Sequence, residues 1–149
     1  MAVLFTAVAM LPICAADTTV LTGEIIYLED GGYIEISEVY NVKASVSRAS
    51  HTKTGSKDVK YFDSNDELLW KYTLNATFTY EPGVSSTCTN ASYSNNIYDN
   101  KWSFSNGATT KSGNTAYGAG LYIKKVLLIK VDEVEIDVSI TCDSNGNLS

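Results

Sequence analysis

The sequence predicts an all-β fold: an antiparallel β-sandwich, or partly open barrel, of about nine or ten strands with one internal disulfide. Three observations predict it. Apolar and polar residues alternate with period two over most of the chain beyond residue 20. Turn residues recur between the alternating runs, and two widely spaced cysteines remain once the N-terminal segment is set aside. Ten tyrosines against two prolines, with Ser and Thr throughout, add a composition that favours strands.

The first sixteen residues carry no charge. Ala2 to Leu11 is an apolar run of signal-peptide length, Pro12 breaks it, and Cys14-Ala15-Ala16 supplies the small residues a signal peptidase needs. Residues 1–16 are therefore expected to be a signal peptide, cleaved before Asp17 or Ala16. No Lys or Arg precedes the apolar run, as in a leader whose true start lies further upstream. The run is too short to span a bilayer, which takes about 20 apolar residues. Residues 17–149, roughly 130 in number, are expected to form one secreted domain large enough to bury a real core.

Along that domain, Glu29-Asp30-Gly31-Gly32 joins 24–28 to 33–39 as a hairpin. Asp63-Ser64-Asn65-Asp66 joins 58–62 to a long strand. There Trp70, Tyr72, Leu74, Ala76, Phe78 and Tyr80 share one face, and Lys71, Thr73, Asn75, Thr77 and Thr79 the other. Glu81-Pro82-Gly83 ends this strand before the one carrying Cys88. Ser112-Gly113-Asn114 separates 102–110 from 115–122, and Asp132-Glu133 is expected as the turn between 122–131 and the last strand. That last strand, Val134-Glu135-Ile136-Asp137-Val138-Ser139-Ile140-Thr141-Cys142, is apolar at every even position and points Cys142 inward. Residues 121–129, with Lys124 and Lys125 among aliphatics, fit either a strand or a short helix.

Cys88 and Cys142 form an even number in an oxidising compartment, and neither lies in a C-x-x-C pair. A bridge between them is expected, worth roughly 4 kcal/mol in the chain-entropy picture.

Three segments carry a resemblance: Ser50-His51-Thr52-Lys53-Thr54-Gly55-Ser56-Lys57; Trp102-Ser103-Phe104-Ser105 leading to Lys111-Ser112-Gly113-Asn114; and Ile140-Thr141-Cys142-Asp143-Ser144-Asn145-Gly146-Asn147-Leu148-Ser149. With Thr87-Cys88-Thr89 they resemble small secreted β proteins of Gram-positive gut bacteria. Residues 124–137 depart from the resemblance, being more aliphatic and acidic. It implies export and a β fold, and brings no activity or site residues.

The net charge of −6, with eleven Lys and Arg, argues against nucleic acid, whose phosphates require a basic patch. It also argues against simple adhesion to an anionic surface and leaves a cationic partner or a neutral sugar. His51 is the only histidine and no G-x-S-x-G elbow occurs, so no catalytic residue, metal ligand set or cofactor is assigned. Glu135 and Asp137 share one strand face, whereas a glycosidase needs two carboxylates facing across a cleft. Asp63-Ser64-Asn65-Asp66-Glu67 and Asp143-Ser144-Asn145-Gly146-Asn147 begin like calcium loops but lack the later Gly and Glu.

One stretch offers recognition chemistry. Tyr93, Asn95, Asn96, Tyr98 and Asp99 lie in a polar segment without clean period, combining aromatic faces with short amide and carboxylate groups suited to sugar hydroxyls. The alternative is a polar loop with tyrosines packed on its edge. The expected function is a secreted, non-catalytic module binding carbohydrate or another surface component. The rival is a secreted effector acting on another protein, as an inhibitor or antimicrobial, and a hydrolase ranks third. A solvent-open aromatic strip would favour the first, a protruding apolar patch the second, and a cleft with convergent carboxylates the third.

Overall fold

The computed structural model describes residues 18–42 and 49–149. The expected leader, its cleavage site and Cys14 lie outside the described residues. Among the described residues eight strands form: β1 (Thr18–Tyr27), β2 (Tyr33–Val42), β3 (His51–Phe62), β4 (Leu68–Glu81), β5 (Ser85–Ile97), β6 (Trp102–Ser112), β7 (Thr115–Val126) and β8 (Ile129–Thr141). Strands β1 to β5 make one sheet and β6 to β8 a second, each in sequence order with every pair antiparallel. No helix occurs among the described residues, so none is long and apolar enough to cross a membrane.

The sandwich expectation holds, but with eight strands instead of nine or ten. The difference lies at the β7–β8 connection. Residues 115–126 run as one strand, and the turn falls at Leu127-Leu128 instead of Asp132-Glu133. Lys124 pairs with Asp132, Ile123 with Glu133 and Tyr122 with Val134, so the two acidic residues are inside the ladder. The helix alternative for 121–129 is thereby replaced by strand, turn and strand.

The core lies between the sheets. Inward residues of β3 and β4 (Val59, Tyr61, Trp70, Tyr72, Leu74, Phe78) meet Trp102, Ala116, Tyr122, Ile136 and Ile140. Gly118 and Gly120 of β7 make room for the aromatics. A Cβ at Gly118 would come within 2.6 Å of the Tyr72 hydroxyl, and one at Gly120 within 2.4 Å of the Phe104 ring. The smaller sheet packs on β3, β4 and β5. One side of the sandwich is stitched, because Thr109 Oγ1 donates to the Ala91 carbonyl at 3.3 Å and Lys111 Nζ to the Thr89 carbonyl at 2.5 Å.

The expected disulfide is absent. Cys88 and Cys142 are free, buried thiols. Both are buried, Cys142 on the inward face that alternation predicts, and both flank the β6–β7 turn: the Cys88 amide donates to the Gly113 carbonyl at 2.8 Å and the Cys142 amide to that of Asn114 at 3.0 Å. Their sulfurs turn elsewhere. Cys88 Sγ donates to the Asn90 carbonyl at 3.4 Å and Cys142 Sγ to the Asp143 carbonyl at 3.5 Å. Inward placement alone does not supply the narrow Cβ and dihedral geometry a bridge demands.

Candidate functional site

Four connections gather at one end of the sandwich: β1–β2, β3–β4, β5–β6 and β7–β8. Loop ends on a rigid sheet scaffold are where binding residues concentrate. The β3–β4 turn is organised by Asp63, whose Oδ1 accepts the Asn65 and Glu67 amides at 2.8 and 3.0 Å. These backbone donors hold its carboxyl below the usual range. Asp143 builds the same turn near the C-terminus, accepting the Asn145 and Asn147 amides at 2.8 Å. Both calcium-like segments are thus backbone turns. Among the described residues no group of three or more His, Cys, Asp or Glu is placed to hold a metal.

The five residues singled out for ligand binding do not form one patch. Tyr93 belongs to β5, not to a loop, and stands opposite Leu74 on the face turned toward the second sheet. Its ring stacks on Tyr72 at 5.6 Å and tilts against Phe104 at 5.8 Å. A Cβ on Gly107 would come within 2.3 Å of its hydroxyl, so the ring closes the rim of the core. Asn95 shares Tyr93's strand face by alternation, opposite Tyr72, while Asn96 points to the outer face opposite Lys71. Asp99 makes the β5–β6 turn: its Oδ1 accepts the Lys101 amide and its carbonyl the Trp102 amide, each at 3.0 Å. Asn96 and Tyr98 do come together, with Asn96 Nδ2 donating to the Tyr98 hydroxyl at 3.5 Å, and Tyr98 is 58% exposed.

A row of rings at the same end escaped the sequence reading. Tyr27 lies 5.9 Å from Tyr33, which stacks on Phe62 at 4.8 Å with nearly parallel planes. The mutual stacking covers ring faces, and among the three rings Tyr27 is the one classed with the exposed apolar residues. On the same outer face Lys60 pairs with Glu35 at 2.6 Å and Lys71 with Asp58 at 2.7 Å.

The largest surprise is the β7–β8 hairpin. Strand β6 begins at Trp102, opposite Lys124, so beyond Lys125 the two strands pair only with each other. The ribbon ends in Val126, Leu127, Leu128 and Ile129, all exposed, the two leucines at 91% and 95%. Both leucines have positive φ, 51° and 68°, a conformation that hairpin turns normally give to Asn-Gly. Immediately behind the tip, Lys125 and Lys130 face each other across the strands. Lys130 also pairs with Glu133 at 2.5 Å, and Lys124 lies over the Trp102 ring at 5.7 Å. The signal in the sequence was the loss of alternation across four consecutive apolar residues between lysines.

Away from this end, a shallow groove of about 400 Å³ runs between β1–β3 and β8. Glu24, Glu38 and Asp137 line it, with Lys57 paired to Glu38. The groove is open, and Lys57 ties up one of its carboxylates.

No family model matches this chain, and neither the curated proteins nor the solved structures contain a match to it.

Proposed function

We propose that this protein is a secreted, non-catalytic surface-binding module that meets its target with the end of the sandwich carrying the β7–β8 hairpin. One observation carries the reading: a contiguous run of four exposed aliphatic side chains on a ribbon that no other strand among the described residues covers. Isolated apolar residues on a surface need no explanation, but contiguous ones mark contact sites. Four side chains nonetheless fall far short of the roughly 800 Å² per partner of a stable protein interface, so the tip does not carry the rival reading of an effector acting on another protein. Export belongs to the same proposal and is supported by the leader-like segment 1–16 and by the resemblance to small secreted β proteins.

The test is attachment of the labelled mature chain to intact bacterial cells and to mucin-coated surfaces, beside a Leu127→Asn, Leu128→Gly variant. Attachment of the parent should exceed that of the variant by about tenfold or more, given the apolar surface removed. Equal attachment would refute the reading.

Carbohydrate binding is a second reading, favoured by the exposed Tyr98 beside Asn96. Tyr98→Ala should weaken any glycan binding without disturbing the core. Tyr93→Ala cannot serve that test, because it removes a stacked ring.

A further inference from the structure

We infer that residues 126–129 insert into a lipid bilayer bearing anionic headgroups, an inference that rests on the surface-binding reading above and names the surface. Shape argues first. The tip is a convex two-stranded ribbon, exposed on both faces. Four aliphatic side chains fall well short of the roughly 800 Å² per partner of a stable protein interface. A bilayer needs no complementary pocket and takes apolar groups of any shape.

Backbone conformation argues second. Leucine is a poor choice for a turn that requires positive φ at both central positions. Neither leucine returns to the core, so no packing among the described residues accounts for it. Backbone strain of this kind is kept where a function uses the side chains.

Charge argues third. Lys125 and Lys130 stand directly opposite each other, a like-charge pair in which Glu133 already partners Lys130 and an anionic headgroup would meet Lys125. The groups around them are Lys101, whose carbonyl accepts the Lys125 amide, together with Lys124, Asp99, Asp132, Glu133 and Asp63, which lies within electrostatic reach of Lys124. The charges next to the apolar tip are therefore both lysines, while further back Lys101 and Lys124 are matched by acids; the overall charge of −6 opposes adhesion by charge alone, so the apolar tip supplies the hold. Tyr98, exposed one turn away, sits where aromatic side chains mark a membrane interface. Apolar tip, lysine collar and flanking tyrosine follow the order of depth in which a bilayer accepts these groups.

Co-sedimentation of the mature chain with vesicles decides it. Vesicles of equal phosphatidylglycerol and phosphatidylcholine should capture the parent and lose about tenfold or more of that capture with Leu127→Asn, Leu128→Gly. That variant installs the preferred turn pair and keeps the fold. Lys125→Ala, Lys130→Ala should weaken capture several-fold, and added salt should do the same. Absence of parent capture, equal capture of the turn variant, or equal capture by pure phosphatidylcholine vesicles would overturn the inference. Dimerisation abolished by the turn variant, without vesicle capture, would assign the tip to a second copy and overturn it as well. Tip-dependent attachment to cells without vesicle capture would leave the surface-binding reading standing and remove the lipid.

Discussion

Trp70 shows how single residues hold this molecule together. Its ring is stacked between Tyr61 at 5.4 Å and Tyr122 at 3.9 Å, with Trp102 edge-on at 6.1 Å. The Tyr122 hydroxyl donates to the Lys71 carbonyl at 3.0 Å, and that of Tyr61 to Asp30 Oδ2 at 3.1 Å. Burial is the main cause that pushes the Tyr61 and Tyr72 phenols up to about 12, with the Asp30 carboxylate adding to the effect on Tyr61, and burial raises Tyr122 too. A folded value above the unfolded one stabilises the fold fully below pH 10 and is lost as pH rises toward 12. In a titration followed by phenolate absorbance, these three tyrosines should ionise only as the fold is lost. Ionisation of Tyr61, Tyr72 and Tyr122 near pH 10 with the fold intact would contradict this placement. Burial likewise raises the Cys88 and Cys142 thiols. Peptide mapping should find both unmodified by an alkylating agent in the folded chain and both modified after denaturation without reductant. Protection that persists after denaturation would show a bridge. Inward placement of Cys142 was legible from alternation, whereas that of Cys88 was expected only as its bridge partner; the rotamers that turn their sulfurs to neighbouring carbonyls were not legible.

At the scale of elements, the hairpins at 28–32 and 63–67 were legible because Gly and Asp there satisfy the turn locally. Gly31 has φ 85°, and Asp63 accepts two backbone amides. The β7–β8 turn was not legible, since its own residues argue against it. Asp132-Glu133 has better turn chemistry than Leu127-Leu128, but the register from Thr115–Thr141 to Tyr122–Val134 carries the pair past the acids. The second half of strand β5, beyond the expected stretch around Cys88, was hidden for another reason. As an edge strand with a wet outer face and a half-covered inner one, it shows little alternation beyond Ala91. The cost of the leucine turn yields a direct expectation. Leu127→Asn, Leu128→Gly should stabilise the isolated protein by about 1–2 kcal/mol, since each leucine is relieved of a left-handed conformation. Equilibrium denaturation would measure it, and a variant less stable than the parent would show that the leucines support the fold. Higher stability with weaker attachment would be the trade expected of a functional site.

At the scale of the molecule, fold class and most of the hairpin connections were legible, while the exposed β7–β8 tip was not. Turn positions decide which loops share an end, and one misplaced turn moved the hairpin tip from the surface into an imagined strand. The complete meander of each sheet has a last consequence. Residues 18–97 hold one whole sheet and 102–141 the other, so no strand pairing crosses the β5–β6 turn. A chain cleaved between Asp99 and Asn100 would leave every ladder intact and sever only the covalent tether between two half-proteins. Each half alone would expose an apolar face and remain unfolded or aggregate. Mixed, the two fragments should reassemble into one native-like particle, detectable by recovery of near-ultraviolet dichroism from the Trp70 and Trp102 cluster. Failure to reassemble would mean that the tether itself, by holding the sheets at high effective concentration, is what lets them find each other.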